Sequence, residues 1–150
     1  MNNKKILYLF FCSIFSSYLN ACEIDNRKVI NFDSKYVFVK GKNNIKVNAK
    51  IADTDELRQF GLMKVKNMLK DEGMLFVFEQ DGQHCFWMKD TYIPLSIAFI
   101  DKNKQIIDIQ DMQANSETAH CPSKDIHYTL EMNQGWFNHN NVKINDVLKF

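Results

Sequence analysis

The stretch HCFWMKDTYIPLSIAFIDKNKQIIDIQDM, residues 84–112, decides the fold because it places two apolar segments on either side of a polar tripeptide, residues 89–91. Residues 85–88, Cys-Phe-Trp-Met, are apolar on both faces of an extended chain, which predicts a central strand buried on both sides. Pro94 cannot donate a ladder hydrogen bond, so we expect it to open the following strand. The polar tripeptide is then a connection between two core strands.

Short segments of strand character run through the rest of the chain. Residues 45–51 alternate apolar and polar side chains, and residues 74–78 form a continuous apolar run typical of a strand buried on both faces. About eight strands are predicted, the others being 36–40, 85–88, 95–100, 105–109, 128–132 and 147–150. The fold class is mainly β (α+β), a compact single-domain sheet or partly closed barrel with one or two short helices.

One short amphipathic helix is predicted after the second strand. Asp53 or Thr54 offers an N-cap oxygen, and Glu56 follows Asp53 by three residues, as in a capping box. Apolar residues then recur at helical spacing, so the helix is expected to run from Thr54 to about Met63.

The N-terminus predicts export. Two lysines precede an apolar run, residues 6–15, that is shorter than the roughly 20 residues needed to span a bilayer. Residues 1–21 therefore have the pattern of a secretory signal peptide. Leu19-Asn20-Ala21-Cys22 resembles a lipoprotein box, which predicts that Cys22 is lipidated, and ordinary cleavage near Ala21 is the alternative. The expected location is the periplasm or cell envelope, with a lipid anchor as the contact with the membrane.

Residues 22–150 are expected to form one globular domain. The leader holds two lysines and no acidic residue, so the 19 Lys and Arg of the chain fall to 17 against 18 Asp and Glu, a net charge of −1. Such a chain lacks the basic patch of a nucleic-acid binder and the polybasic cluster of an anionic-lipid binder. We expect a monomer whose partner is a small ligand or an envelope component, with no nucleic acid bound.

Cys85 and Cys121 remain as a pair once the leader and Cys22 are set aside. In an oxidising compartment a disulfide between them would close a 37-residue loop and contribute up to about 4 kcal/mol. His84 and His120 precede the two cysteines, so a zinc or copper site with two sulfurs and two imidazoles is the alternative. The disulfide is favoured, because adjacent side chains on a strand point to opposite faces and oxidation removes the thiolates.

Methionine thioethers raise a second metal question, because they are soft ligands for Cu(I). The methionines that follow the leader are scattered through separate apolar segments, as expected of residues that fill gaps in a core. We therefore predict no metal and no cofactor. The alternative is a copper or zinc site drawn from His84, His120, Met88 and Met112.

Sequence motifs of common enzymes are missing. The chain has no G-x-S-x-G elbow, no H-E-x-x-H and no glycine-rich phosphate loop, so no catalytic residue is assigned. The prediction is a non-enzymatic binding or accessory module. A small envelope hydrolase and a copper- or zinc-binding protein are the alternatives.

Candidate ligand-binding residues lie near the ends of core strands, where binding residues concentrate. They are Lys89, Asp90, Thr91 and Glu131. The structural alternative for residues 89–91 is a polar turn, in which Asp90 and Thr91 form an Asx-type turn with their own side chains.

A series of ordered motifs resembles an uncharacterised family of exported prokaryotic proteins called domain of unknown function 192. The resemblance covers roughly Ile45 to Phe150, and the motifs that carry it are Arg58–Met63, Gly73–Phe78, Phe86–Thr91, Pro94–Asp101, Leu130–Asn133 and Gly135–Phe137. The resemblance implies a small, mostly β domain on the outer side of the inner membrane, and it implies no activity. Val65 stands where this family usually has arginine and Ser96 where it usually has aspartate, so functions that rest on those groups are not expected here.

Overall fold

The computed structural model describes residues 31–40 and 45–150. The predicted signal peptide, the lipidation site Cys22 and the turn at 41–44 lie outside the described residues. The elements in chain order are β1 (Ser34–Val39), β2 (Lys46–Ala52), α1 (Asp55–Phe60), β3 (Glu72–Gly82), β4 (Leu95–Ile100), β5 (Ile106–Met112), β6 (Ile126–Asn133), α2 (Trp136–His139) and β7 (Leu148–Lys149). Neither helix of this part of the chain is long and apolar enough to cross a membrane.

The seven strands form one sheet in the order β5-β4-β6-β3-β2-β1-β7. Neighbouring strands are antiparallel except β2 and β3, which are parallel because the segment containing α1 returns the chain to the same end of the sheet. An isolated bridge between Gln105 and Val147 and a hydrogen bond from Leu148 N to Lys104 O bring β7 beside the start of β5. The sheet is thus a curled half-barrel, and the mainly β prediction is confirmed.

Alternate side chains of the strands supply two apolar clusters on opposite faces of the sheet. The first face carries residues such as Leu75 and Leu130 and is covered by α2. The second face carries Met74, Phe76 and Phe99 and is covered by segments outside the sheet. Most predicted strands therefore correspond to observed ones, with boundaries shifted by a few residues.

The helix α1 is shorter than predicted. Thr54 is the N-cap, and its Oγ1 accepts a hydrogen bond from Leu57 N at 3.3 Å. Gly61 ends the helix with a φ of 50°, a conformation that other residues rarely adopt, and its N–H donates to Leu57 O at 2.9 Å. The predicted extension to Met63 is wrong because this glycine turns the chain first.

The prediction of a central buried strand at 85–88 is also wrong. The segment makes one antiparallel bridge, between Phe86 and His120, and belongs to no sheet. Both edges of β3 and of β4 are already paired, so the sheet interior offers 85–88 no place. Residues 83–91, called the strap below, instead cross the second face, with Met88 buried and Trp87 exposed.

Candidate functional site

A cavity of about 480 Å³ lies between the strap and the second face of the sheet. Its walls come from the end of α1 and the turn after it, from β3, from the strap and from β6. The lining residues include Arg58, Phe76, Phe78, His84, Phe86, Trp87, Thr91 and Glu131. Folding thus brings together side chains that are far apart in the sequence.

Glu131 lies on β6 and faces this cavity. Its neighbours along the strand, Leu130 and Met132, pack into the first face, so Glu131 points to the second. Its register partners Met74 and Ile97 are fully buried, and Glu131 itself is only 4 % exposed. Within the part of the chain that the structure describes, its carboxyl group has no hydrogen-bond or ion-pair partner.

Burial raises the pKa of Glu131 from 4.5 to about 8. Desolvation is the physical cause, because the charged form loses water and gains no partner in return. The carboxyl group is therefore mostly protonated at pH 7. In that state it can donate one hydrogen bond as well as accept others.

Thr91 brings a second polar group to the lining. Its side chain is 5 % exposed, and its hydroxyl donates to Lys89 O at 3.3 Å. Asp90 has a φ of 53°, and its carbonyl oxygen accepts Lys64 N–H at 2.7 Å, which holds the turn against the segment after α1. The side-chain hydrogen bond within this turn is therefore made by Thr91.

Lys89 and Asp90 are exposed and lie outside the lining. The Lys89 ammonium is 5.4 Å from the centre of the Trp87 ring and forms no ion pair with Glu131, although both residues are described. Of the four candidate ligand-binding residues, the structure brings Thr91 and Glu131 together in one cavity and leaves the other two outside it.

Arg58 is a lining residue that sequence reasoning missed as a site residue. Its Nη1 donates to Asp53 O and to Val77 O, each at 2.7 Å, and its Nη2 pairs with Asp55 Oδ1 at 2.6 Å. The guanidinium also lies 5.6 Å from the Phe78 ring centre. These contacts fix a permanent cation at the cavity wall. The signal for it was its place in the motif Arg58–Met63.

Aromatic rings share the remaining wall with Gln59, Leu62, Met63 and Gln83. Phe86 meets Phe76 edge to face, with ring centres 5.0 Å apart, and His84 stacks on Phe78 at 3.8 Å. His84 Nε2 lies 3.2 Å from Gln80 O, so this nitrogen carries the hydrogen. Trp87 lines the cavity and is 51 % exposed, which places it at the mouth.

The strap is held from outside by a disulfide. Cys85 and Cys121 are bonded with an S–S distance of 2.08 Å, which confirms the predicted pairing. Phe86 and His120 exchange two backbone hydrogen bonds beside it, at 2.8 and 2.7 Å, and Met88 N donates to Ser116 O. The cavity wall is therefore tied to the segment before Pro122.

The alternative metal ligands have other contacts. His120 Nδ1 lies 3.1 Å from Gln110 Oε1, His84 stacks on Phe78, and Met88 and Met112 are buried in the second-face cluster. The two cysteine sulfurs of the alternative zinc or copper site are bonded to each other in the disulfide. In residues 31–40 and 45–150, no group of three His, Cys, Asp or Glu side chains is placed to hold a metal ion.

Comparison with known proteins identifies relatives of the whole fold. The model of the DUF192 family, described as "Uncharacterized ACR", matches residues 37–150. A "putative transcription regulator" from Sinorhizobium meliloti 1021 is similar in structure, with a TM-score of 0.76, 27% identity and coverage of 81% of this chain and 97% of that one. A protein of unknown function from Novosphingobium aromaticivorans DSM 12444 has a TM-score of 0.73 and 25% identity over 78% of this chain and 85% of its own. No curated protein matches.

Proposed function

The chain belongs to the DUF192 family, and from the cavity beneath its strap we propose that it is a non-enzymatic ligand-binding module of the cell envelope. One observation carries the proposal. The carboxyl group of Glu131 faces the cavity, is buried and has no partner among the described residues. A bound molecule would supply the missing hydrogen bond.

The buried carboxyl group is costly for the fold when it is charged, because burial removes water from the ionised form and raises the pKa of Glu131. Its oxygens are open to the cavity, since Thr129 Oγ1 is the one fully buried side-chain polar atom of the described residues without a hydrogen-bond partner. An apolar side chain of similar size would suit the neighbours of Glu131. Met74 and Ile97, its register partners, are fully buried and apolar. Strongly perturbed ionisable groups in a cleft are concentrated at functional sites. This supports a functional role for the side chain over a structural one.

Binding is favoured over catalysis because the lining offers Glu131 no catalytic partner. Glycoside hydrolases generally use two carboxyl groups, and Glu131 is the one carboxyl among the described lining residues. The cavity cysteine is bonded to Cys121, and His84 is engaged with Phe78 and Gln80. A small envelope hydrolase remains the second candidate, since a pKa near 8 suits a general acid.

Export to the periplasm or envelope is part of the proposal. The leader-like residues 1–21 and the lipoprotein-like Cys22 support it. The disulfide supports it as well, because both cysteines are exposed and an exposed disulfide persists in an oxidising compartment. A nucleic-acid-binding role of the kind suggested by the regulator name of the S. meliloti neighbour is not part of the proposal, because the chain after the leader has 17 basic residues against 18 acidic ones and so lacks the excess of positive charge that nucleic acid attracts.

The two tryptophans of the chain allow a direct test of binding. Trp87 lines the cavity, whereas Trp136 packs in the first-face cluster and its Nε1 donates to Asp71 Oδ1. A ligand in the cavity should therefore move the Trp87 indole N–H signal in a ¹H–¹⁵N NMR spectrum and leave the Trp136 signal in place.

The test uses a panel of neutral, anionic and cationic small molecules at millimolar concentration. Hits should weaken in Glu131→Leu and persist in Glu79→Gln, a control at an exposed glutamate of β3 outside the lining. A panel in which no compound moves the Trp87 signal selectively would refute the binding function. Turnover of a hit, abolished in Glu131→Gln, would support the hydrolase instead.

A further inference from the structure

Resting on the proposed binding function, we infer that the cavity takes a flat molecule whose buried end is a carbonyl or carboxylate oxygen, and that it disfavours ammonium groups. Three features of the site support this inference. They are the hydrogen-bond donor at the floor of the cavity, which is the Glu131 carboxyl group, the sign of the charge in the cavity wall, and the shape of the aromatic lining.

The floor offers a hydrogen-bond donor. Glu131 is flanked by Met74 and Ile97, and no described side chain satisfies its carboxyl group. A protonated carboxyl has one O–H, and a ligand oxygen is the partner that satisfies it best in an apolar surrounding. Hydrogen bonds to an ionised acceptor are shorter and stronger than those between neutral groups, so a carboxylate is accepted as well as a carbonyl.

The basic residues that share the lining with Glu131 are Arg58 and His84. Arg58 comes from α1 and His84 from the strap, while β3 and β4 present apolar side chains such as Met74, Phe76 and Ile97. Asp55 pairs with Arg58 from outside the lining. An ammonium group would meet the guanidinium, and it would need Glu131 to ionise in a desolvated place.

The aromatic lining suits a flat molecule. Phe76, Phe86 and the stacked pair of Phe78 and His84 present ring faces and edges, and Trp87 stands half-exposed at the mouth. Ring pairs favour offset-stacked or edge-to-face contacts, which planar ligands can make with these walls. A volume of about 480 Å³ falls within the usual range of small-molecule sites, roughly 300–1,000 Å³.

Three single-ring compounds of similar size separate the possibilities: benzamide, benzoate and benzylammonium. Each is titrated into the purified protein at pH 6.5 while the Trp87 and Trp136 indole signals are followed. Benzamide and benzoate should move the Trp87 signal with dissociation constants at least about tenfold lower than that of benzylammonium, a difference of about 1.4 kcal/mol. Glu131→Leu should abolish the preference. Glu131→Gln, which retains a donor, should keep benzamide binding.

The pH dependence of benzamide binding gives a second readout, because benzamide does not titrate in this range. Its affinity should fall roughly fivefold between pH 8 and pH 9, as the protonated fraction of Glu131 declines. In Glu131→Gln the affinity should stay constant over that interval. An affinity that rises with pH in the wild-type protein would mean that the ionised carboxylate is the binding form, and it would overturn the inference.

The outcomes separate the ligand class from the binding function. Benzylammonium binding as tight as benzamide, or tighter, would refute the acceptor class while the cavity remained a binding site. If none of the three compounds moves the Trp87 signal but other members of the wider panel do, the inferred class of aromatic ligands with an acceptor oxygen would be refuted, and the binding function would stand. Silence of the entire panel would refute the function itself.

Discussion

Arg58 and Glu131 line the same cavity but form no ion pair. The guanidinium is held by Asp55 and by two backbone carbonyl oxygens, those of Asp53 and Val77. Glu131 is thereby left without a counter-ion, and its burial raises its pKa to about 8. The cavity therefore combines a fixed cation in its wall with a protonated acid at its floor.

The first prediction concerns stability against pH. The pKa of Glu131 rises from 4.5 in the unfolded chain to about 8 in the fold, so the folded state holds a proton that the unfolded state has lost between these values. The contribution of this proton to the free energy of unfolding is fully present below pH 4.5 and is lost as the pH rises toward 8. The loss is about 1.4 kcal/mol per pH unit and at most about 5 kcal/mol in all. Glu131→Gln should remove this slope.

Urea unfolding of wild type and variant at pH 5, 6.5 and 8 measures the slope. Glu79→Gln makes the same chemical change at an exposed site, so it should follow the wild-type profile. Parallel pH profiles for the wild type and Glu131→Gln would show that Glu131 titrates alike in the folded and unfolded chains. The claim that burial raises its pKa would then be wrong.

The second prediction concerns Arg58. Arg58→Met should lower the free energy of unfolding by about 2–3 kcal/mol, because it removes charge-assisted hydrogen bonds to Asp53 O and Val77 O and leaves both carbonyls without this donor. Asp55→Asn should cost less than about 1 kcal/mol, since it removes only the exposed partner of the ion pair. Equal losses in the two variants, measured by urea unfolding, would contradict the role assigned to the backbone contacts.

Period-2 alternation was enough to predict most of the sheet. Residues 45–51 alternate because one side of β2 packs on the first face and the other meets solvent. The prediction for residues 85–88 was wrong because the side chains that point away from the sheet are apolar for reasons other than burial. Cys85 is in the disulfide and Trp87 stands at the cavity mouth, so two-sided apolar character did not mean burial on two sides.

The cavity was only partly predictable. Position at strand ends and turns led to Thr91 and Glu131, and both lie in the lining. Lys89 and Asp90 belong to the same turn, but their side chains leave it on the solvent side. Arg58 could not be found by spacing, because its position depends on the packing of α1 against Val77 O, 19 residues further along the chain.

The third prediction concerns processing. The protein isolated from the envelope should begin at or very near Cys22, because residues 1–21 have the pattern of a leader and Cys22 follows a lipoprotein-like box. Intact-mass measurement decides this. A chain that retains residues 1–21 would defeat export, and an unmodified N-terminal residue would defeat lipidation. Cys22→Ser tests the anchor separately, since it should release the processed protein from the membrane fraction.

The last prediction concerns the disulfide between Cys85 and Cys121. It closes a loop of 37 residues, so reduction should lower the free energy of unfolding by about 2–4 kcal/mol. Both cysteines are exposed, so a mild reductant should reach the bond in the folded protein. The double variant Cys85→Ser/Cys121→Ser should match the reduced wild type and be insensitive to reductant. Thiol labelling can contradict this prediction. If both cysteines react in the native, unreduced protein, there is no disulfide and the strap is held by its backbone hydrogen bonds alone.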